Sequence, residues 1–132
     1  INVPLHLDML GTKVVLCVDD LESVDTPSRD LIQELQQKAL YHGRHRKIIC
    51  FSIFHDAFNR GLTKASSIEA SRVFLFPNHG RSNSTKYLKS RLGWSTSQIK
   101  ELYAFVKGDR WVCVYLHVPN LALTSKAMKL LS

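Results

Sequence analysis

A chain of 132 residues, 45% hydrophobic and 22% charged, is one domain of ordinary size, able to bury a core. Its apolar runs are only strand-sized and no signal-peptide pattern opens it, so neither a membrane span nor export is expected. The net charge of +7 is unevenly spread: residues 1–40 hold three Lys/Arg against seven Asp/Glu, residues 41–132 fifteen against four, as for a basic surface facing a polyanion with an acidic metal site elsewhere.

The first element is the richest. Val14-Val15-Leu16-Cys17-Val18 is a run of five apolar residues ending in Asp19-Asp20. Such a run fits a strand over 13–19 buried on both faces of a parallel sheet. Open α/β sheets place ligand sites at the C-terminal ends of their strands, and paired carboxylates there suit Mg²⁺ and phosphoryl chemistry. A single strand-end Asp needs no function, because a strand must stop at a polar loop; a pair after a wholly apolar strand points to a site. With Glu22, three acids fall within four positions. Asp19 would reach a metal through water, and Asp20 or Glu22 would orient the attacking water.

Thr26-Pro27 reads as an N-cap followed by proline at the first helical position, and Leu31, Ile32, Leu35, Ala39 and Leu40 repeat at helical spacing. That helix is expected to end near Tyr41–Gly43, with Gly43 left-handed. The basic tract Gly43-Arg44-His45-Arg46-Lys47 leads into a second strand over 47–54, which ends at His55-Asp56. If the two strands are parallel neighbours, His55 approaches Asp19 and Asp20 on one sheet edge. A polar loop with Arg60 follows, then a short strand over 72–76.

Ser82 or Ser84 is read as the cap of a helix carrying Tyr87, Leu88 and Leu92 and closed by Gly93. Ser95-Thr96-Ser97-Gln98 is a capping box with Trp94 and Ile99 as a hydrophobic staple. A fourth strand is expected over 110–117, and Thr124 to Leu131 reads as a terminal helix. The whole predicts one α/β domain, 1–132, built as a three-layer sandwich with a mainly parallel sheet. Its buried set is Val15, Leu16, Val18, Ile49, Phe51, Ile53, Phe74, Val112 and Val114. Cys17, Cys50 and Cys113 lie in apolar runs without metal spacing and read as buried, reduced thiols of an intracellular protein.

Taken in order, VVLCVDDLES, a helix ending in YHGRHRK, IICFSIFHDAF and SRVFLFP resemble the genome-packaging ATPases of large and transposon-like double-stranded DNA viruses. These are the poxvirus-type and polinton-type members of the FtsK–HerA group of P-loop ATPases. The likeness covers roughly residues 12–78, with the rest similar only in outline. It implies that Asp19 is the Mg²⁺-associated and Asp20 the water-activating carboxylate of a Walker B pair. His55 stands at the sensor position, where that family usually has Gln. Arg60 and Arg72 are the candidates for an arginine reaching a neighbouring subunit. ATP, Mg²⁺, double-stranded DNA and a homo-oligomeric ring are the implied cofactors and partners. A host cell's cytoplasm or nucleus, or the virion, is the implied location.

No G-x-x-x-x-G-K-[ST] loop occurs in the sequence, and Gly11-Thr12-Lys13 lacks the preceding glycine. That loop supplies the backbone N–H groups and the lysine that hold the β- and γ-phosphates. Since the chain opens on Ile1 rather than Met, the nucleotide-binding half is expected on an upstream segment, and these residues alone are expected not to hydrolyse ATP. Arg44, Arg46, Lys47, Arg81, Lys86, Lys89 and Arg91 are the residues expected to contact DNA phosphates. Three other classes compete. One is a phospho-acceptor receiver domain using Asp56. Another is a metal-dependent nuclease using Asp19, Asp20 and Glu22. The third is a non-catalytic nucleic-acid-binding module.

Overall fold

A computed structural model describes residues 6–56, 58, 60–117 and 120–131, apart from the side chains of Arg60 and Leu62. The fold is mixed α/β, and two compact units divide it, the first ending at Glu69 and the second beginning at Ala70. No Pro- or Gly-rich linker marks that boundary, so the sequence carries no sign of it.

In the first unit the apolar run forms β1 (Val15–Val18), joined through a 3-10 turn at Leu21–Ser23 to α1 (Thr26–His42). The capping residue of α1 is Asp25, not Thr26: its carboxylate accepts the Ser28 N–H at 3.1 Å, and Pro27 lies in the first turn. A second 3-10 turn, Gly43–Arg46, leads to β2 (Ile49–Ser52). Gly43 is right-handed (φ −68°), and Lys47 takes the left-handed position instead (φ 56°). Glycine suits position 43 for a different reason, since a Cβ there would stand 3.1 Å from Cβ of Ile48. β1 and β2 pair in parallel, Val15 opposite Ile49 and Val18 opposite Ser52. One helix between them returns the chain to the starting edge, which is what a parallel pair requires.

The polar loop read around Arg60 is a helix, α2 (Arg60–Glu69). Among its described side chains the buried ones are small, Thr63 and Ala65, which do not announce a helix as large apolar residues would. α1 packs on both strands and on α2. Leu16, Ile32 and Phe54 pack around Val18 and Leu21 in the core of this unit. The other face of the pair is open: Val15, Ile49, Phe51 and Ile53, all expected to be buried, are between 48% and 59% exposed. Strand alternation puts odd-numbered residues of both strands on that face.

The second unit contains β3 (Arg72–Leu75), α3 (Pro77–Leu92), α4 (Thr96–Phe105), β4 (Val112–Tyr115), β5 (Leu121–Leu123) and β6 (Met128–Leu130). Its sheet has the order β3-β4-β5-β6 and is antiparallel throughout, where a parallel arrangement is expected from the sequence. Two helices rather than one separate β3 from β4, so the chain comes back from the opposite edge. The expected terminal helix over 124–131 is instead a hairpin. Buried Thr124 accepts the Lys126 and Ala127 N–H groups on its Oγ1, both at 3.2 Å, and its own N–H reaches the Ala127 carbonyl at 2.9 Å. That local turn diverts the chain from a helix.

α3 begins at Pro77, well before either expected cap, Ser82 or Ser84, and bends at Gly80 (φ −149°, ψ 44°). It ends as predicted at Gly93, left-handed at φ 68°. The capping box is present, with Ser95 Oγ accepting from the Gln98 N–H and the Gln98 side chain accepting from the Ser95 N–H. Val112 and Val114 are fully buried as expected. Lys129 shares their face and pairs with Glu101 of α4 at 3.0 Å, so α4 lies on that side. Phe74, predicted to be buried, is on the opposite face and about half exposed, tilted against the Trp111 ring. Among the described residues no helix is long and apolar enough to cross a membrane.

Candidate functional site

The parallel register carries β1 and β2 to a common edge. The ladder closes with the Ile53 N–H donating to the Val18 carbonyl at 2.9 Å, and the next residues on each strand are Asp19-Asp20 and Phe54-His55. His55 Nε2 stands 3.9 Å from Oδ1 of Asp20. The two side chains are 80% and 52% exposed, so water has free access to the space between them. At that separation a water bridges the pair more readily than a direct hydrogen bond joins it. Asp19 is also exposed beside them.

Asp20 holds an unusual backbone conformation, left-handed at φ 51°, ψ 39°. This region is unfavourable for a residue with a Cβ, though Asp tolerates it better than most. It heads the 3-10 turn, and its carbonyl accepts both the Ser23 N–H at 3.0 Å and the Ser23 hydroxyl at 2.9 Å. Leu21, 1% exposed, anchors the turn in the core.

Glu22 does not join the solvent-facing acids. Both its carboxylate oxygens are sealed from solvent without a hydrogen-bond partner, so it cannot orient a water at the edge as expected from its spacing. Beside it is Arg29 of α1, which the sequence does not single out. Arg29 Nη2 donates to the Val24 carbonyl at 2.6 Å and to the Glu22 carbonyl at 3.2 Å.

Behind β2, Gln36 of α1 is buried at 1% exposure and donates through Nε2 to Ser52 Oγ at 2.6 Å and Ser66 Oγ at 3.3 Å. The two serine hydroxyls lie 3.3 Å apart. One amide thus ties α1, β2 and α2 together under the site. Its sequence signal is position: Gln36 falls one residue after Leu35 within the apolar stripe of α1.

The basic candidates separate into two groups. Arg44 and Lys47 are exposed at the turn before β2, whereas Arg46 is engaged by Asp8. Arg81, Lys86 and Lys89 project from α3 and, with Ser82, Thr85 and Ser90, line an open groove of about 610 Å³. Arg81 is held there by stacking: its guanidinium lies 4.6 Å from the Tyr103 ring centre, and the Tyr103 hydroxyl donates to the Arg81 carbonyl at 3.2 Å. Arg91 is half-buried. Near it, burial pushes the Tyr87 phenol up, with Arg91 opposing. Arg72, at the start of β3, stacks over Tyr115 at 4.7 Å; the side chain of Arg60 lies outside the described residues.

The cysteines differ from one another. Cys17 is exposed rather than buried, on the open face of β1, while Cys50 is half-buried and Cys113 buried. Burial raises the Cys50 thiol, Ser52 opposing, and raises the Cys113 thiol, Arg72 opposing.

No group of three or more His, Cys, Asp and Glu side chains among the described residues forms a metal cage. Mg²⁺ in nucleotide sites is usually held by one or two carboxylates with waters and phosphates completing its shell, and the exposed Asp19 and Asp20 suit that mode. The ion would supply charge neutralisation for a phosphoryl group there. No protein-family model, curated protein or solved structure matches the chain.

Proposed function

We propose that this chain is the Walker B-bearing portion of an FtsK–HerA-type ATPase that couples ATP hydrolysis to the movement or packaging of double-stranded DNA. The observation that carries the reading is the 3.9 Å approach of His55 to Asp20 at the shared end of two parallel strands. In this reading Asp20 accepts the proton of the attacking water, Asp19 contacts Mg²⁺ through water, and His55 senses the γ-phosphate. The phosphate-binding loop belongs to a segment outside these residues, and the protein works as a homo-oligomeric ring in a host cell or virion. Arg60 or Arg72 would serve the neighbouring subunit. The three-layer, mainly parallel sandwich that the reading calls for has support in the open apolar face of β1 and β2, since parallel sheets are normally covered on both sides.

The basic groove of α3 favours a second reading, a nucleic-acid-binding module without catalysis. Hydrolysis measurements on the full-length protein separate the two. Asp20→Asn abolishes ATP hydrolysis while sparing nucleotide binding, and Asp19→Ala shifts the Mg²⁺ dependence. Normal hydrolysis in both variants refutes the ATPase assignment; DNA binding without any wild-type hydrolysis favours the module.

A further inference from the structure

The turn that presents Asp20 needs an explanation, because its left-handed backbone is not one that Asp adopts by default. The two Ser23 bonds close the turn on itself but do not fix it to the rest of the unit. Arg29 does. From the first turn of α1 it reaches back seven residues to the Glu22 carbonyl and five to that of Val24. One guanidinium therefore holds both a residue of the turn and the residue that leaves it.

The charges point the same way. An ionised carboxylate sealed from water without a hydrogen bond is strongly disfavoured unless an opposite charge stands near. Both Glu22 oxygens are sealed from solvent without a hydrogen-bond partner, and so is Arg29 Nε. Arg29 is bonded to the backbone carbonyl of Glu22, which brings its positive charge to the turn that carries that carboxylate.

We propose that Arg29 is a positioning residue for the acidic edge, locking the Leu21–Ser23 turn with Glu22 as its buried counter-charge and so holding Asp20 where its carboxylate meets His55. The pair touches no substrate; it acts through the backbone of Asp20. Its relevance to hydrolysis rests on the ATPase reading, but its structural content does not.

The test is amide hydrogen exchange on the 132-residue chain. The Ser23 N–H reports the turn, and the Ile49 and Ile53 N–H groups report the β1–β2 ladder. Arg29→Met is expected to speed Ser23 exchange roughly tenfold or more relative to the ladder amides, the usual effect of losing charged hydrogen bonds. Arg29→Lys, which keeps the charge but not the fork, should fall between wild type and Arg29→Met. Adding Glu22→Gln to Arg29→Met should slow Ser23 exchange again, because no orphaned charge remains; a merely space-filling arginine would show no such rescue. Unchanged relative exchange in Arg29→Met, or in Arg29→Lys should the methionine variant not fold, overturns the proposal, as does absence of rescue. In the full-length protein Arg29→Met should lower kcat for ATP with KM unchanged. If wild type hydrolyses no ATP, the ATPase reading fails while the exchange data still decide the role of Arg29.

Discussion

Replacing Gln36 by leucine tests how the first unit is held behind the acidic edge. Leucine has a similar volume, so little cavity results, and the change isolates the amide. Two hydrogen bonds disappear, those to Ser52 at 2.6 Å and to Ser66 at 3.3 Å. At a net 0.5–1.5 kcal/mol for each, the loss is about 1–3 kcal/mol. The serines keep each other as partners at 3.3 Å, which keeps the cost from rising further. Tryptophan fluorescence is blind to this, because Trp94 and Trp111 both belong to the second unit. Amide exchange at Ile49 and Ile53 is the appropriate assay, and it should accelerate about 5- to 150-fold. The triple variant Gln36→Leu/Ser52→Ala/Ser66→Ala should return to within about 1 kcal/mol of wild type, since replacing all partners leaves no buried polar group unpaired. Unchanged exchange in the single variant would refute the network. A triple variant as unstable as the sum of its parts would refute the energetic account of it.

In the second unit, Leu102→Ala removes a side chain with no exposed surface and should cost about 2.7–5 kcal/mol, read by tryptophan fluorescence in urea. Thiol labelling at neutral pH should modify Cys17 first, with Cys50 and Cys113 slower because burial raises both thiols; mass spectrometry of a time course gives the order. Asp25 is held below its usual 3.8 by the Ser28 bonds, and Glu34 below its usual 4.5 by Lys38. A lowered carboxylate contributes stability above its unfolded value and loses it as pH falls through the folded one. Helicity of α1 should therefore decline below about pH 4, less steeply in Asp25→Asn, as measured by circular dichroism.

Local signals read well where they rest on chemistry within a few residues. The strand ending in two acids, the Ser95–Gln98 capping box and the Gly93 helix end are all present because each needs only its neighbours. Strand direction in the second unit follows from the two helices between β3 and β4, both legible in the sequence from their caps. Strands alternating with helices read as parallel only until it is weighed that a pair of helices brings the next strand back antiparallel. The terminal segment shows the same limit. Met128, Lys129 and Leu130 alternate with period two, but Thr124, whose hydroxyl builds the turn, looks like an ordinary helix cap until its partners are known. Helix α2 was hidden because Thr63 and Ala65 bury well without being strongly apolar.

The acidic edge shows why residue type and spacing do not suffice for a site. Asp19-Asp20-Leu21-Glu22 offers three acids in four positions, and spacing treats them as equivalent. The buried Leu21 breaks that equivalence by drawing the turn inward. Asp20 then takes the left-handed conformation that leaves its carboxylate outside, while the Glu22 carboxylate is sealed from solvent and its backbone carbonyl accepts from Arg29. Of these three acids, two therefore face solvent. A nuclease built on Asp19, Asp20 and Glu22 loses one of its three ligands by this geometry, whereas phosphoryl chemistry that uses one carboxylate for the metal and one for water needs only the two that remain.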